Sequence, residues 1–244
     1  MTLTTWSLLS QPSNVLHRYM AALELHDSRI ARHAFAPGTR GRAVREGILE
    51  ELPQQDAWAM LDASTSAPRY QRLRVLDQTR RLALAETYGE WSTHRLTELL
   101  LMVQTRASWQ IVARAFTRGR IGEPAPEPDP VGEALIRDCL LACTDEPGPP
   151  QGTHLADCRY AYAGAGEPVF RHPANPAWDL GWLGVSRKAR LTAKIEIVMR
   201  GTIAAAKLVR SDRSVRVVNH VLLVAVDGGW KIADLTCSNP LPAG

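Results

Sequence analysis

Leu99-Leu100-Leu101-Met102-Val103, followed five residues later by Trp109-Gln110-Ile111-Val112-Ala113-Arg114-Ala115-Phe116, reads as two apolar strands joined by a tight turn. The signature returns near the end of the chain as Val221-Leu222-Leu223-Val224-Ala225-Val226, Asp227-Gly228-Gly229 and Trp230-Lys231-Ile232-Ala233-Asp234. An Asp-Gly step between apolar runs is a strong hairpin signal, because both residues tolerate the positive φ that the turn needs. Trp109 and Trp230 lie 121 residues apart. Working outward, Ala57-Trp58 and Ala177-Trp178 lie 120 apart, and the helical patterns that begin at Val15 and Ala134 lie 119 apart. Three anchors in one order at a near-constant offset predict a duplicated domain; solenoid repeats are far shorter.

A boundary separates the copies. Arg118 to Pro130, RGRIGEPAPEPDP, holds four Pro and three acids with almost nothing to bury. Such a segment favours extended polyproline geometry. The expected division is a first domain over residues 1–120, a linker over 121–130 and a second domain over 131–244. In the first copy, Ser13 or Asn14 can cap a helix to about His26, with Val15, Leu16, Tyr19, Met20 and Leu23 on one stripe. A short helix Ser28–Phe35, a hairpin Arg40–Leu52 and a helix Gln55–Ala63 follow. Four strands come last, at Gln71–Gln78, Leu82–Trp91, His94–Gln104 and Trp109–Thr117. The second copy has strands at about Cys158–Tyr162, Ala193–Gly201, Ile203–Arg210, Val215–Val226 and Trp230–Cys237. Its Gly- and Pro-rich stretch 164–190, with His172, Trp178, Asp179 and Trp182, reads as a lid-like loop. Helices first and an antiparallel meander last make an α+β domain with a curved sheet wrapped around helices.

Composition narrows the function classes. The 244 residues are 45% hydrophobic and 22% charged, as in ordinary globular proteins. No apolar run approaches the ~20 residues of a membrane span, and the first residues carry no secretory signal pattern. The first 122 residues hold 16 Arg, no Lys and 11 acids, and the remainder is near neutral. That is no nucleic-acid footprint. The four Cys show no metal spacing, and thiols of this kind point to a reducing cytoplasm. Dinucleotide, phosphate-loop, hydrolase and zinc motifs are absent, so neither a metal nor a cofactor is expected. The ratio of 25 Arg to 4 Lys points to a GC-rich bacterial genome.

The element order, with LLLMV…SWQIVARAF and VLLVAVDGGWKIADL as terminal strand pairs, resembles the nuclear transport factor 2-like superfamily. That group includes ketosteroid isomerases, SnoaL-like polyketide cyclases, limonene-epoxide hydrolases and the "putative lumazine-binding" proteins, which the first copy resembles most. The resemblance implies two cone-shaped domains, each with an apolar pocket between helices and the concave sheet. It also implies sheet-to-sheet pairing, here as an intramolecular pseudo-dimer, with a further homodimer open.

In isomerases of this superfamily a helix Tyr and a strand acid bind a substrate oxyanion, and a second carboxylate takes the proton. The resemblance places Tyr19 and Glu98 in the first two roles. The base position falls near Ala43, with Glu46 the nearest acid. Independently of the resemblance, Glu98 shares a strand face with Leu100 and Met102. Such an acid is either exposed and paired with Arg95 or Arg114, or it faces a pocket, where burial raises its pKa. Glu86 and Tyr88 share one face of the preceding strand, and His94 shares the face of Glu98 and can act as a base. In the second copy Asp138 stands for Tyr19 and Asn219 for Glu98, with His220 on the opposite face. Tyr160, Tyr162, His172, Asp179 and Glu196 are further polar candidates. The expected activity is general acid–base chemistry, of cyclase, isomerase or dehydratase type, on an apolar small molecule, with Tyr19 donating to its oxygen and Glu98 handling the proton. The alternative is a non-catalytic small-molecule-binding or pseudo-dimeric interaction module.

Overall fold

The computed structural model describes residues 11–105, 108–123, 129–145, 152–162, 168–171, 192–211, 215–237 and 241–242. Helix α1 is Pro12–Leu25, α2 Ser28–Arg32 and α3 Gln54–Asp62. They are threaded through strands β1 Arg40–Arg45, β2 Ile48–Pro53, β3 Tyr70–Gln78, β4 Leu82–Glu90, β5 His94–Gln104 and β6 Trp109–Arg120. Helix α4, Pro130–Asp145, opens the second half. Strands β7 His154–Tyr162, β8 Val169–Arg171, β9 Thr192–Arg200, β10 Ile203–Ser211, β11 Val215–Val226, β12 Gly229–Cys237 and β13 Leu241–Pro242 complete it.

Local chemistry sets the element ends. Helix α1 starts earlier than the expected Ser13 or Asn14 cap: Gln11 is the N-cap, without a side-chain bond, and Pro12 occupies the first turn, where its missing N–H costs nothing. His26 ends the helix in the left-handed region at φ 53°. The Asp27 side chain accepts from Arg29 N to cap α2. That helix stops at Arg32, short of the expected Phe35, which instead bridges to Ile111. The turn Glu46-Gly47 and the turn Asp227-Gly228 both take positive φ, as two-residue hairpins require. In the expected linker, residues 124–128 lie outside the described residues.

Both sheets follow one strand order. The first runs β2-β1-β6-β5-β4-β3 and the second β8-β7-β12-β11-β10-β9, with β13 added to β11. The parallel pair sits in the same place in each, β1 with β6 and β7 with β12. The register repeats as well. Glu98 pairs with Thr87 and Phe116, and Asn219 with Leu208 and Cys237, each 121 residues on. Even the β-bulge recurs, at Leu101/Met102 and at Leu222/Leu223.

The sheets pack back to back. On β5, Leu100 and Met102 face α1 and share a cluster with Val15, Leu16 and Tyr19. The alternate residues Leu99, Leu101 and Val103 share a cluster with Ala204, Ala206, Leu222 and Val224 of the second sheet. A strand buried on both faces needs an unbroken apolar run, which is why LLLMV does not alternate. Charges also cross this interface. Arg42, wholly buried, donates to Ala233 O and to Asp157 Oδ2 at 2.7 Å and lies 3.5 Å from Asp234 Oδ2. Arg159 reaches Asp234 Oδ1 at 3.4 Å and Gly38 O at 2.6 Å. At the other end Glu86 pairs with Arg200, and Asp77 accepts from Lys207 and contacts His220 Nε2 at 2.7 Å. Among the described residues no helix is long and apolar enough to cross a membrane.

Candidate functional site

Helix α1 lies across the concave face of β4, β5 and β6. One turn of its apolar stripe places Tyr19 over β5, where strand alternation turns Glu98 inward. The Tyr19 hydroxyl lies 3.0 and 2.9 Å from Glu98 Oε1 and Oε2. Thr87, the cross-strand partner of Glu98, donates to Oε2 at 2.8 Å. Arg114 on β6 reaches Oε1 with Nη1 at 3.2 Å and the Tyr19 oxygen at 3.3 Å. All four side chains are buried. The carboxyl of Glu98 therefore combines the two readings open in the sequence: it is buried in the cone, and it is paired with Arg114. Burial, followed by the Glu98 charge, pushes the Tyr19 phenol well above its ordinary range, so it stays a neutral donor.

Tyr19, Glu98 and Arg114 form the floor of a cavity of about 300 Å³. Leu23, Leu61, Leu96, Trp58, Trp91 and Phe116 supply apolar walls, and His94 and Arg118 also line it. The His94 ring stacks on Trp91 at 4.9 Å and 4°. Trp91 is held in turn by Nε1 donating to Ser66 O at 3.0 Å. Burial, then the charge of Arg118, lowers the His94 pKa, so its imidazole is neutral at pH 7 and can accept a proton. A second cavity, of about 590 Å³, shares Leu52, Met60, His94, Phe116 and Arg118 with the first, so the two adjoin. Ala43 lines the second one, and Glu46 lies exposed in the β1–β2 turn; neither brings a base to the floor.

Arg114 is posed by a missing side chain. Its guanidinium lies 5.9 Å from the Phe35 ring and 5.3 Å from the Phe116 ring. A Cβ on Gly41 would sit 2.6 Å from Arg114 Nε. We expect Gly41→Ala to displace Arg114 from Glu98, to weaken ligand binding in this cavity at least ~10-fold and to lower the melting temperature by less than Glu98→Ala does, as checked by titration and thermal melts.

Several sequence candidates lie elsewhere. Glu86 faces the second sheet, with Arg200 at 2.5 Å, because it has the opposite parity to Thr87 on β4. Tyr88 shares that parity; it donates to Glu90 at 2.9 Å and packs edge-on against Tyr70. Met102 is in the core around α1 but does not line the cavity. Asp138 is exposed on α4 instead of taking the buried place of Tyr19. Asn219 is buried, with its amide placed to accept from Arg210 Nη2 and donate to Val218 O, both at 3.1 Å. Tyr160 is buried, and Glu196 pairs with Lys194 at the surface. His172, Asp179, Trp178 and Trp182 lie outside the described residues, as does the Tyr162 side chain. Thr87 and the inward role of Arg114 were not read from the sequence. A single Arg centred in the apolar run IVARAF was the signal for the latter. Among the described residues no group of three or more His, Cys, Asp or Glu could hold a metal ion.

Comparison with known proteins bears on the first half. Residues 10–117 match the family model described as "putative lumazine-binding", in agreement with the resemblance read from the sequence. No curated protein matches the chain. Among solved structures, a nuclear transport factor 2-like protein of unknown function from Shewanella baltica OS155 is 18% identical, with a TM-score of 0.41, and covers 49% of this chain and 98% of its own. One from Silicibacter pomeroyi DSS-3 is 17% identical, with a TM-score of 0.41, over 48% and 100%. A ketosteroid isomerase-like protein from Erwinia carotovora atroseptica is 10% identical, with a TM-score of 0.36, over 50% and 100%.

Proposed function

We propose that the first half binds an apolar, carbonyl-bearing small molecule and moves a proton on it, in isomerase-, cyclase- or dehydratase-type chemistry that calls for no cofactor. The observation that carries this reading is the buried Tyr19–Glu98–Arg114 group on the floor of an apolar cavity that His94 also lines. Arg114 keeps guanidinium N–H groups beyond the one given to Glu98, and Tyr19 can turn its single O–H from Glu98 to a bound oxygen; donors held in a buried site stabilise charge developing on a substrate oxygen most. Glu98 accepts from Tyr19, Thr87 and Arg114, which favours an anchoring role and leaves proton transfer to His94. Glu98 lies four residues beyond His94, about 13 Å along β5, so a planar substrate of two fused rings spans much of the distance. Residues 1–120 are the ligand-binding domain in this reading, 121–130 the connection and 131–244 the supporting domain. In the second sheet Asn219 and Leu235 stand 121 residues on from Glu98 and Arg114. The free, buried Cys158 and Cys237 accord with a cytoplasmic setting.

An enolisable bicyclic ketone such as 2-tetralone in D2O tests this directly. Wild-type protein is expected to accelerate deuterium incorporation beside the carbonyl, and His94→Ala to lose about 100-fold of that rate, the usual weight of a general base. The saturated hydrogen bonding of Glu98 favours a second reading, a binding module. Tight binding of the ketone with no exchange above buffer would support that reading over catalysis.

A further inference from the structure

We propose that the charges between the sheets form a pairing code that joins the first half to the second and rejects a second copy of either. The argument starts from structural equivalence. Glu86 pairs with Leu99 on its neighbouring strand, and Lys207 with His220, 121 residues on. Glu86 and Lys207 thus occupy equivalent outward positions with opposite charge. Their partners lie on equivalent edge strands: Lys207 meets Asp77 of β3 at 2.6 Å, and Glu86 meets Arg200 of β9 at 2.5 Å. By strand register Asp77 matches Val198 and Arg200 lies two residues further, one side-chain step along the same face. The two contacts are therefore related by an approximate twofold axis, with every sign inverted.

The β1 end obeys the same axis. Arg40 and Arg159 are equivalent, 119 residues apart, since Gly41 and Tyr160 hold matching places in the parallel ladders. Arg40 reaches Asp157, and Arg159 reaches Gly38, again 119 apart. Pairing two first halves through this face would set Asp77 against Glu86 twice and strip Arg42 of Asp157 and Asp234. Pairing two second halves would set Lys207 against Arg200. Both arrangements bring like charges together in partly buried places, which is costly. Only the mixed pair sets Glu86 and Asp77 against bases and Lys207 and Arg200 against acids.

The test reverses the code in the full chain. In Glu86→Arg/Lys207→Glu, both mixed contacts at the β3 and β9 edges become repulsive and the same-half contacts there attractive. This variant is expected to melt about 5–10 °C lower and to double in mass relative to wild type as concentration rises in sedimentation equilibrium. Glu86→Arg/Arg200→Glu inverts one mixed pair and keeps it intact, so it should match wild type in melting temperature. A reversed variant that keeps the wild-type mass and melting temperature overturns the proposal. Should the reversed variant fail to fold, the comparison of Glu86→Arg alone with Glu86→Arg/Arg200→Glu decides: rescue of the melting temperature by the second change supports the code, and its absence overturns it.

Discussion

Arg42→Ala is expected to cost about 3–5 kcal/mol of folding stability, the range for breaking a buried ion pair from one side, against a typical total of ~5–15 kcal/mol. Among the described residues, Asp234 would keep Arg159 as its base, at 3.4 Å, and Asp157 would keep Arg40. Urea unfolding of both chains, fitted for midpoint and slope, measures the loss; a change below ~1 kcal/mol would show that the interface does not depend on Arg42. The same cluster sets a pH dependence. Burial raises the Asp234 pKa to about 6, with Arg42 and Arg159 opposing and Asp157 adding to the rise. The folded state thus holds this proton more tightly than the unfolded chain, whose carboxyl titrates near 3.8. Its favourable effect is complete below pH ~4 and gone above pH ~6, a swing of about 3 kcal/mol. Asp77 runs the other way: although burial opposes it, hydrogen bonds from His220 and Lys207 lower its pKa to about 2. Its contribution is present above pH ~4 and lost as the pH falls toward 2. Together the two groups place a stability maximum near pH 4, and Asp234→Asn should flatten the fall between pH 4 and 6.

Glu98→Ala carries the second large expectation. It leaves the buried Arg114 without its carboxylate and the Tyr19 and Thr87 hydroxyls without their acceptor. A loss of about 3–5 kcal/mol is expected, read as a drop in melting temperature of more than ~6 °C. Glu98→Gln keeps the volume and one acceptor oxygen and should lose about half as much. If both changes are silent, the network does not hold the cone together, and its role as an anchor fails with it. In the exchange assay Glu98→Gln should lower the rate through misplaced Arg114 and Tyr19 while leaving the pH profile set by His94.

Much of this architecture was legible in the sequence, and the reason is local. The Asp227-Gly228 turn, the helix stripe from Val15 to Leu23 and the 119–121 offsets each fix backbone geometry without help from distant residues. Parity ties Glu98 to Leu100 and Met102 on β5 and Glu86 to Tyr88 on β4, but it says which residues share a side and not which side is the cone. The unbroken LLLMV and VLLVAV runs carried the missing information, that these strands are covered on both faces. Lone charges set in apolar strands, Arg42 in GRAV and Asp234 in KIADL, showed the same thing from the polar side. Their partners lie more than a hundred residues away and are found only by folding the two halves together.

The repeated strand order has a consequence for how this molecule can change over time. A dimer of identical subunits receives every substitution twice, once on each side of its axis, so an alteration that suits one side is tested against itself on the other. Here the two sheets are written by separate stretches of one chain, and each substitution falls once. An acid can stand opposite a base across the axis, and Asn219 can occupy the register of Glu98 without erasing the carboxylate. Linkage in one polypeptide thus frees one sheet to specialise while the other keeps the shape that supports it.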